Sequence, residues 1–322
     1  MKLSALEHAL ISAWERKAAL HQHAGAVRLL NAQATHTPGV VFELYGQHGV
    51  LFDYGADVGG WGASLRTAAS RWLDACGWES VSLHDRTSAG DAGRAGHHAL
   101  AGDAPETLVI REDGLNFRLE PRHPRNVGLF LDTRPLRRQL REASGERVLN
   151  LFCYTGSLGI AALAGGAASV TQVDISARYL EWARENTRLN ALPETSCRFV
   201  KMDSERYLDW ARRKDLRFDR IILDPPVFSR FDGKVFRWAD DYFRLAGKCA
   251  ALLAPEGVLH AVTNYAEIRP ATFAEELSRT FHAAGVAAAA PRRLPLPADY
   301  DLPEASEELP EGNAIMFDIR RT

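Results

Sequence analysis

Four short apolar runs, each delivering a polar turn and each followed by a helical stretch, constrain this chain more than any other feature. Val148–Phe152 runs into Tyr154-Thr155-Gly156-Ser157, and Ser169–Val173 ends at Asp174. Cys197–Val200 ends near Asp203, and Phe218–Leu223 ends at Asp224-Pro225-Pro226. Strands alternating with helices of about 10–15 residues predict βαβ units and a mainly parallel sheet, because parallel neighbours need a covering crossover. A helix over about 240–253, a strand over Gly257–Thr263 and a late strand over Ile315–Ile319 extend the pattern. Ligands of such sheets sit beyond the carboxyl ends of the strands, which is where these acids collect.

The first third of the chain has a different rhythm. Ser4 and Glu7 have capping-box spacing, and Leu6, Leu10, Ala13 and Trp14 recur at helical intervals, so residues 1–23 are assigned to an N-terminal helix. Val27–Leu30, Val40–Leu44, Val50–Tyr54 and Val81–His84 read as strands, and Thr67–Ala75 as a helix. Leu108–Ile110 and Leu115–Leu119 flank Glu112-Asp113-Gly114 as a hairpin. Thr87–Asp103 and Pro295–Gly312 lack an apolar period and read as loops. The expected organisation is a helix over 1–23, a small α+β domain over 24–125 and a larger α/β domain over 126–322.

Charge and cysteine usage narrow the function. With 39 Lys plus Arg against 41 Asp plus Glu, the net charge of −2 argues against a polycation that coats nucleic acid, though not against a local basic patch. Cys76, Cys153, Cys197 and Cys249 form no CxxC pair, which suits a reducing cytoplasm. The N-terminal stretch is interrupted by Glu7, Glu15, Arg16 and Lys17, so neither a signal peptide nor a membrane span is expected. The eleven histidines show no HExxH spacing, and no metal is expected.

Each strand end has a chemical reading and a plain one. Gly156 allows a ligand to approach the backbone, or simply makes a strand-to-helix turn. Asp174 suits the hydroxyls of a ribose, or a helix N-terminus. Asp203 suits an adenine amino group, or a helix cap. In Asp224-Pro225-Pro226-Val227-Phe228 the prolines remove two N–H groups, freeing a carbonyl for the cleft, and Phe228 offers a face to a planar base; the alternative is a rigid turn.

The order Asn150-Leu-Phe-x-Tyr-Thr-Gly-Ser157, Val173-Asp-x-Ser176, Asp203 and Asp224-Pro-Pro-x-Phe-Ser229 resembles class I S-adenosylmethionine-dependent methyltransferases. More narrowly, it resembles the bacterial 23S rRNA large-subunit methyltransferase I/K family. Gly128-Leu-Phe-Leu-Asp-Thr-Arg134 is similar to that family's lead-in segment, and Ser176–Ala183 with Asn186 and Asn190 to its second helix. The resemblance implies a Rossmann-like domain, with a mostly parallel seven-stranded sheet and helices on both faces, preceded by a small α+β domain. It implies S-adenosyl-L-methionine as cofactor, held by Asp132, Arg134, Asn150, Phe152, Tyr154, Thr155, Gly156, Asp174, Ile175, Asp203, Ser204 and Asp224. It places Asp224, Pro225, Phe228 and Asn264 at the reacting centre. Arg134 has a second reading as a surface arginine, and Asn264 as a loop cap.

The family's N-terminal PUA domain is expected to be missing here, which weakens the expectation of an RNA substrate. Family members that methylate cytosine C5 need a thiolate and carry Cys where this chain has Asn264, so no covalent cysteine step is expected. Thr263-Asn264-Tyr265 is closer to the guanine-N7 branch, where direct transfer needs mainly positioning. Seven arginines between Arg118 and Arg141 (118, 122, 125, 134, 137, 138 and 141) suggest an rRNA partner, or for Arg137, Arg138 and Arg141 a solvated helix face. The expected activity is methylation of a base nitrogen in RNA, in the cytoplasm, with a homodimer left open. The rivals are a methyltransferase acting on a small molecule or protein, and a non-catalytic nucleotide- or RNA-binding module.

Overall fold

The computed structural model describes residues 2–31, 38–86, 97–123, 126–231, 234–300 and 314–322. The chain divides into two compact units. One comprises Met1–Leu131 with Pro297–Pro303, the other Asp132–Leu296 with Glu304–Thr322. The expected boundaries differ: the N-terminal helix is part of the first unit's core, Val127–Leu131 stays with that unit, and a late segment returns to it.

In the first unit, α1 (Leu3–Ala24) buries Leu6, Leu10 and Ala13. Its N-cap is Lys2 without a side-chain cap, so the Ser4/Glu7 box is not used. Gly25 ends the helix at φ +67°, where a Cβ would lie 2.5 Å from the Arg111 carbonyl oxygen. Strands β1 (Ala26–Leu30), β2 (Val40–Tyr45), β3 (His48–Asp53), β4 (Ser80–Asp85) and β5 (His97–Gly102) form one sheet in chain order. Only the β3–β4 pair is parallel, and α2 (Gly62–Cys76) makes that crossover. Residues 97–102 of the expected 87–103 loop are thus a strand pairing with β4, while 87–96 lie outside the described residues. Trp72 and Phe42 meet edge-to-face at the centre of the core. β6 (Leu108–Glu112) and β7 (Leu115–Leu119) form the expected hairpin, with Asp113 and Gly114 both at positive φ.

The tail reading also changes. Residues 298–300 form a 3-10 turn packed into this unit rather than an exposed loop. The Asp299 carboxylate accepts the Arg28 N–H at 2.8 Å, and its carbonyl accepts from the buried Lys17 ammonium at 2.7 Å. The Arg28 guanidinium lies 4.2 Å from the Tyr300 ring centroid. Residues 301–312 lie outside the described residues.

The second unit contains α3 (Arg134–Leu140), β8 (Arg147–Leu151), α4 (Ser157–Ala164), β9 (Ser169–Asp174), α5 (Ala177–Leu189), β10 (Cys197–Lys201), α6 (Ser204–Arg213) and β11 (Phe218–Leu223). A hairpin of β12 (Phe228–Phe231) and β13 (Lys234–Arg237) follows, then α7 (Trp238–Leu252), β14 (Leu253–Thr263), α8 (Pro270–Ala283), β15 (Arg292–Leu294) and β16 (Ile315–Arg320). The seven-stranded sheet has the order β10-β9-β8-β11-β14-β16-β15, with β15 and β16 antiparallel to their neighbours. The strand order runs from β8 outward to β10 on one side and from β11 outward to β14 on the other, and ligands of such sheets bind beyond the carboxyl ends at this switch point.

One face of this sheet presents Leu149, Leu151, Val173, Ile221, Leu223, Leu259 and Phe317 to a core that includes residues of α6, α7 and α8. The opposite face carries a buried row that runs in register across five strands: Gln172, Asn150, Ile222, His260 and Asp318. Its polar members are tied together. Asn150 Nδ2 donates to Gln172 Oε1 at 2.8 Å, and His260 Nδ1 meets Asp318 Oδ1 at 2.7 Å.

Candidate active site

Between β8 and α4 the chain spends three of five residues at positive φ: Phe152 at +54°, Tyr154 at +50° and Gly156 at +81°. Tight turns of this kind survive only where surrounding contacts impose them. The contacts are specific. Asp174, at the end of β9, accepts the Tyr154 N–H at 3.0 Å and the Ser176 N–H at 2.8 Å. The Asn186 amide donates to the Thr155 carbonyl at 3.1 Å. A Cβ on Gly156 would lie 2.7 Å from the Ala183 Cβ and 2.9 Å from the Gln172 amide, so glycine serves both conformation and packing. Burial raises the Asp174 carboxyl above its ordinary range, opposed by the N–H groups of Ser176, Tyr154 and Ile175.

The next strand ends continue the edge. Lys201 pairs with Asp174, which sets Asp203 just beyond the adjacent strand. Asp203 caps α6 by accepting the Arg206 N–H at 3.0 Å with Oδ1, so the plain reading of this residue is realised. Ser204 is buried in the first turn of α6, and Ile175 is half-buried. Leu223 pairs with Leu151 on one side and Ala261 on the other, which places Asp224 at the crevice. The Asp224 carboxyl is pushed up to about 7, first by burial and then by the neighbouring charge of Asp132. Asp132 is itself buried, and its Oδ2 accepts the Ala314 N–H at 3.1 Å. Pro225 is buried, while Phe228 keeps 49 % of its surface exposed.

Several expected residues take other positions. Asn150 does not face the strand ends: its side chain lies in the buried polar row and its Nδ2 is committed to Gln172. The Tyr154 ring packs edge-to-face on Tyr179, 4.6 Å between centroids, so it leans on α5. Arg134 is 1 % exposed, which rules out the surface reading. Asn264 is exposed just past β14, and the turn there is held by Thr263 Oγ1 accepting the Tyr265 N–H at 3.0 Å, not by Asn264.

The arginine run is not one surface. Arg118 pairs with Glu120, Arg122 pairs with Asp103, and both belong to the first unit. Arg137 is buried in the second unit, donating to Thr133 Oγ1 at 2.8 Å, while Arg138 and Arg141 are exposed. A seven-residue helix cannot point four arginines outward while Leu136 and Leu140 are buried. Arg125 lies outside the described residues.

Residues 64–300 match the family model described as S-adenosylmethionine-dependent methyltransferase. The chain belongs to this family. Among curated relatives, the ribosomal RNA large subunit methyltransferase K/L of Magnetococcus marinus is 42 % identical over 163 residues, covering 49 % of this chain and 22 % of the relative. YwbD of Bacillus subtilis, provisionally named a ribosomal RNA large subunit methyltransferase, is 34 % identical over 210 residues, covering 65 % of this chain and 52 % of the relative. The chain therefore spans about a fifth to a half of the length of these relatives. The crystal structure of SMU.776 complexed with SAH superposes with a TM-score of 0.87 at 25 % identity, covering 99 % of this chain and 82 % of that one. The family's cofactor is S-adenosylmethionine. Among the described residues, no helix is long and apolar enough to cross a membrane, and no three His, Cys, Asp or Glu side chains are grouped to hold a metal.

Two positioning residues escape a reading of motifs. Gln172 donates to the Gly156 carbonyl at 3.2 Å and so supports the glycine turn from beneath. The only trace in the sequence is a polar residue inside an apolar parallel strand. Phe236 packs its ring 5.7 Å from Phe152, and the signal that could have found its hairpin is Asp232-Gly233 between two short runs.

Proposed function

We propose that this chain transfers a methyl group from S-adenosylmethionine to a base nitrogen of RNA of the 23S rRNA type, guanine favoured, without a covalent cysteine intermediate. The observation that carries the reading is the end of β11, where a half-buried carboxyl raised to about 7 stands four residues before an exposed aromatic ring. The names of the curated relatives support RNA as acceptor.

The donor set suits the cofactor. Asp174 and Asp203 bring carboxylates to adjacent strand ends, as acceptors for ribose hydroxyls and an adenine amino group. When bound, the cofactor supplies a methyl on a sulfonium sulfur, and transfer forms the N–C bond as the C–S bond breaks, its electron pair returning to sulfur. Asp224 gives the crevice negative charge where a sulfonium meets a base nitrogen that turns positive as its lone pair forms the N–C bond. In its charged form it also accepts a hydrogen bond from a base N–H and orients the lone pair for in-line attack. The Phe228 face stacks the base, and Asn264 offers its amide to a base edge.

The cysteines support a non-covalent route. Burial pushes Cys76 up to about 11 and Cys197 up to about 12, and raises Cys153 and Cys249 well above the ordinary thiol range. A thiol held neutral is a poor nucleophile. The test is methyl transfer from radiolabelled S-adenosylmethionine to ribosomal subunits and naked rRNA from a strain lacking the gene, with nucleoside mass spectrometry. A nitrogen-methylated nucleoside is the expected product; 5-methylcytosine, or label confined to small molecules or protein, overturns the reading.

A further inference from the structure

The hairpin that follows the Asp-Pro-Pro turn has two unlike faces. Opposed residues of an antiparallel pair share a face, so the register Phe228↔Arg237 and Arg230↔Val235 puts these four side chains together. The pair between them, Ser229↔Phe236, points the other way. Phe236 is partly buried and packs on Phe152 of the glycine turn. The Trp238 N–H donates to the Val227 carbonyl at 2.9 Å and closes the base of the hairpin. One face is therefore anchored to the turn beside Asp174, and the other is open.

The open face has an unusual composition for a surface. Phe228 is 49 % exposed and Val235 39 % exposed, and both arginines are exposed. The Arg230 guanidinium carbon sits 5.3 Å from the Phe228 ring centroid. Among the described residues, no carboxylate forms an ion pair with the Arg230 or Arg237 side chain, whereas Arg147, Arg184, Arg188, Arg220 and Arg244 of the same unit are paired. Two cations with no carboxylate partner among the described residues, beside exposed apolar groups, raise the local potential and lose little on meeting an anion that also carries flat, apolar faces. Nucleic acid with unpaired bases has both properties; a closed duplex offers the phosphates and hides the faces.

We propose that Phe228, Arg230, Val235 and Arg237 form a docking platform for single-stranded RNA around the methylated nucleotide, with the target base against Phe228, a neighbouring base against Val235 and phosphates on the two guanidinium groups. This inference rests on the RNA reading above and specifies where, and in what form, the RNA is held. The Phe236–Phe152 contact ties the platform to the turn that Asp174 holds, so RNA seated on the outer face is registered against the strand ends.

The test is the affinity of the full chain for labelled single-stranded RNA, titrated across KCl concentrations, for the wild type, an Arg230→Ala/Arg237→Ala variant and an Arg230→Lys/Arg237→Lys variant. Each single-strand phosphate contact contributes about 0.7 to the slope of log K against log salt. The double alanine variant is expected to lower that slope by about 1.4 and weaken RNA binding about 10-fold or more, with S-adenosylmethionine affinity unchanged by calorimetry. The double lysine variant is expected to restore the slope. A wild type that binds RNA with a slope untouched by the alanine variant overturns the platform and leaves the RNA reading standing. Preference for a duplex of the same sequence overturns its single-stranded character. A wild type that neither binds nor methylates RNA sinks both.

Discussion

The Asp174 carboxylate holds the backbone of Tyr154, twenty residues upstream, through a 3.0 Å hydrogen bond from the Tyr154 N–H to Oδ2. Its other oxygen accepts the Ser176 N–H at 2.8 Å. One side chain thus shapes the glycine turn and also presents charge at the strand end. Hydrogen bonds to a charged group contribute about 1.5–3 kcal/mol each. Asp174→Ala is expected to raise the dissociation constant for S-adenosylmethionine about 10-fold or more by calorimetry. Asp174→Asn, which keeps one acceptor oxygen, is expected to fall between. Unchanged affinity in both variants would remove Asp174 from the cofactor site.

Burial, and then the charge of Asp132, oppose ionisation of Asp224 and push its carboxyl up to about 7. Single-turnover methyl transfer is expected to rise with pH through a midpoint near about 7, as the carboxylate forms. Asp132→Asn removes the neighbouring charge and should move that midpoint to lower pH. Asp224→Asn should abolish the dependence and slow transfer about 100-fold. Stability runs the other way. The folded chain keeps this proton above the ordinary carboxyl range where the unfolded chain has lost it, so the group lowers stability as pH rises toward about 7. Melting temperatures of Asp224→Asn should show a flatter profile over that window.

Strand ends were legible because periodicity locates them: after β9 and β10 a helix-forming stretch leaves only a residue or two for the turn, where Asp174 and Asp203 stand, while Asp224 is marked by the Pro225-Pro226 pair that stops β11. Orientation was not. Asn150 lies one residue before the end of β8, and strand alternation sends its amide sideways into the buried row. Arg134 and Arg137 belong to a charged stretch, yet α3 turns them inward beside Leu136. The β12–β13 hairpin does carry a local signal, Asp232-Gly233 between its two strands, but the packing of Phe236 on Phe152 joins residues 84 positions apart and has none. The placement of Asp299 against Arg28 joins residues 271 positions apart, beyond the reach of any local pattern.

Gly156 tests the turn itself. At φ +81° an alanine pays backbone strain, and its Cβ would stand 2.7 Å from the Ala183 Cβ. Strain of this kind together with overpacking costs about 2–4 kcal/mol. Gly156→Ala is expected to lose that much stability in urea and to bind S-adenosylmethionine weakly. Adding Ala183→Gly should recover part of the stability, because it removes the clash while leaving the positive φ. Full recovery would mean that the backbone conformation carries no cost of its own.

Asp318 tests the buried row beneath the site. Its carboxylate takes three partners: His260 Nδ1 at 2.7 Å, Gln139 Nε2 at 2.6 Å and Arg292 Nη2 at 2.6 Å. Burial disfavours the charge, but the hydrogen bond and charge of His260, then Gln139 and Arg292, outweigh it and hold the carboxyl below its ordinary range. A depressed carboxyl stabilises the fold above its unfolded pKa and loses that contribution as pH falls through the folded value. Asp318→Ala strands His260, which is 1 % exposed, and should cost about 3–5 kcal/mol, read as a drop in urea midpoint at neutral pH. The difference from wild type should shrink as the solution is acidified, since the wild type then surrenders the same interaction. A difference that stays constant down to the onset of acid unfolding would show that Asp318 acts by packing and not by charge.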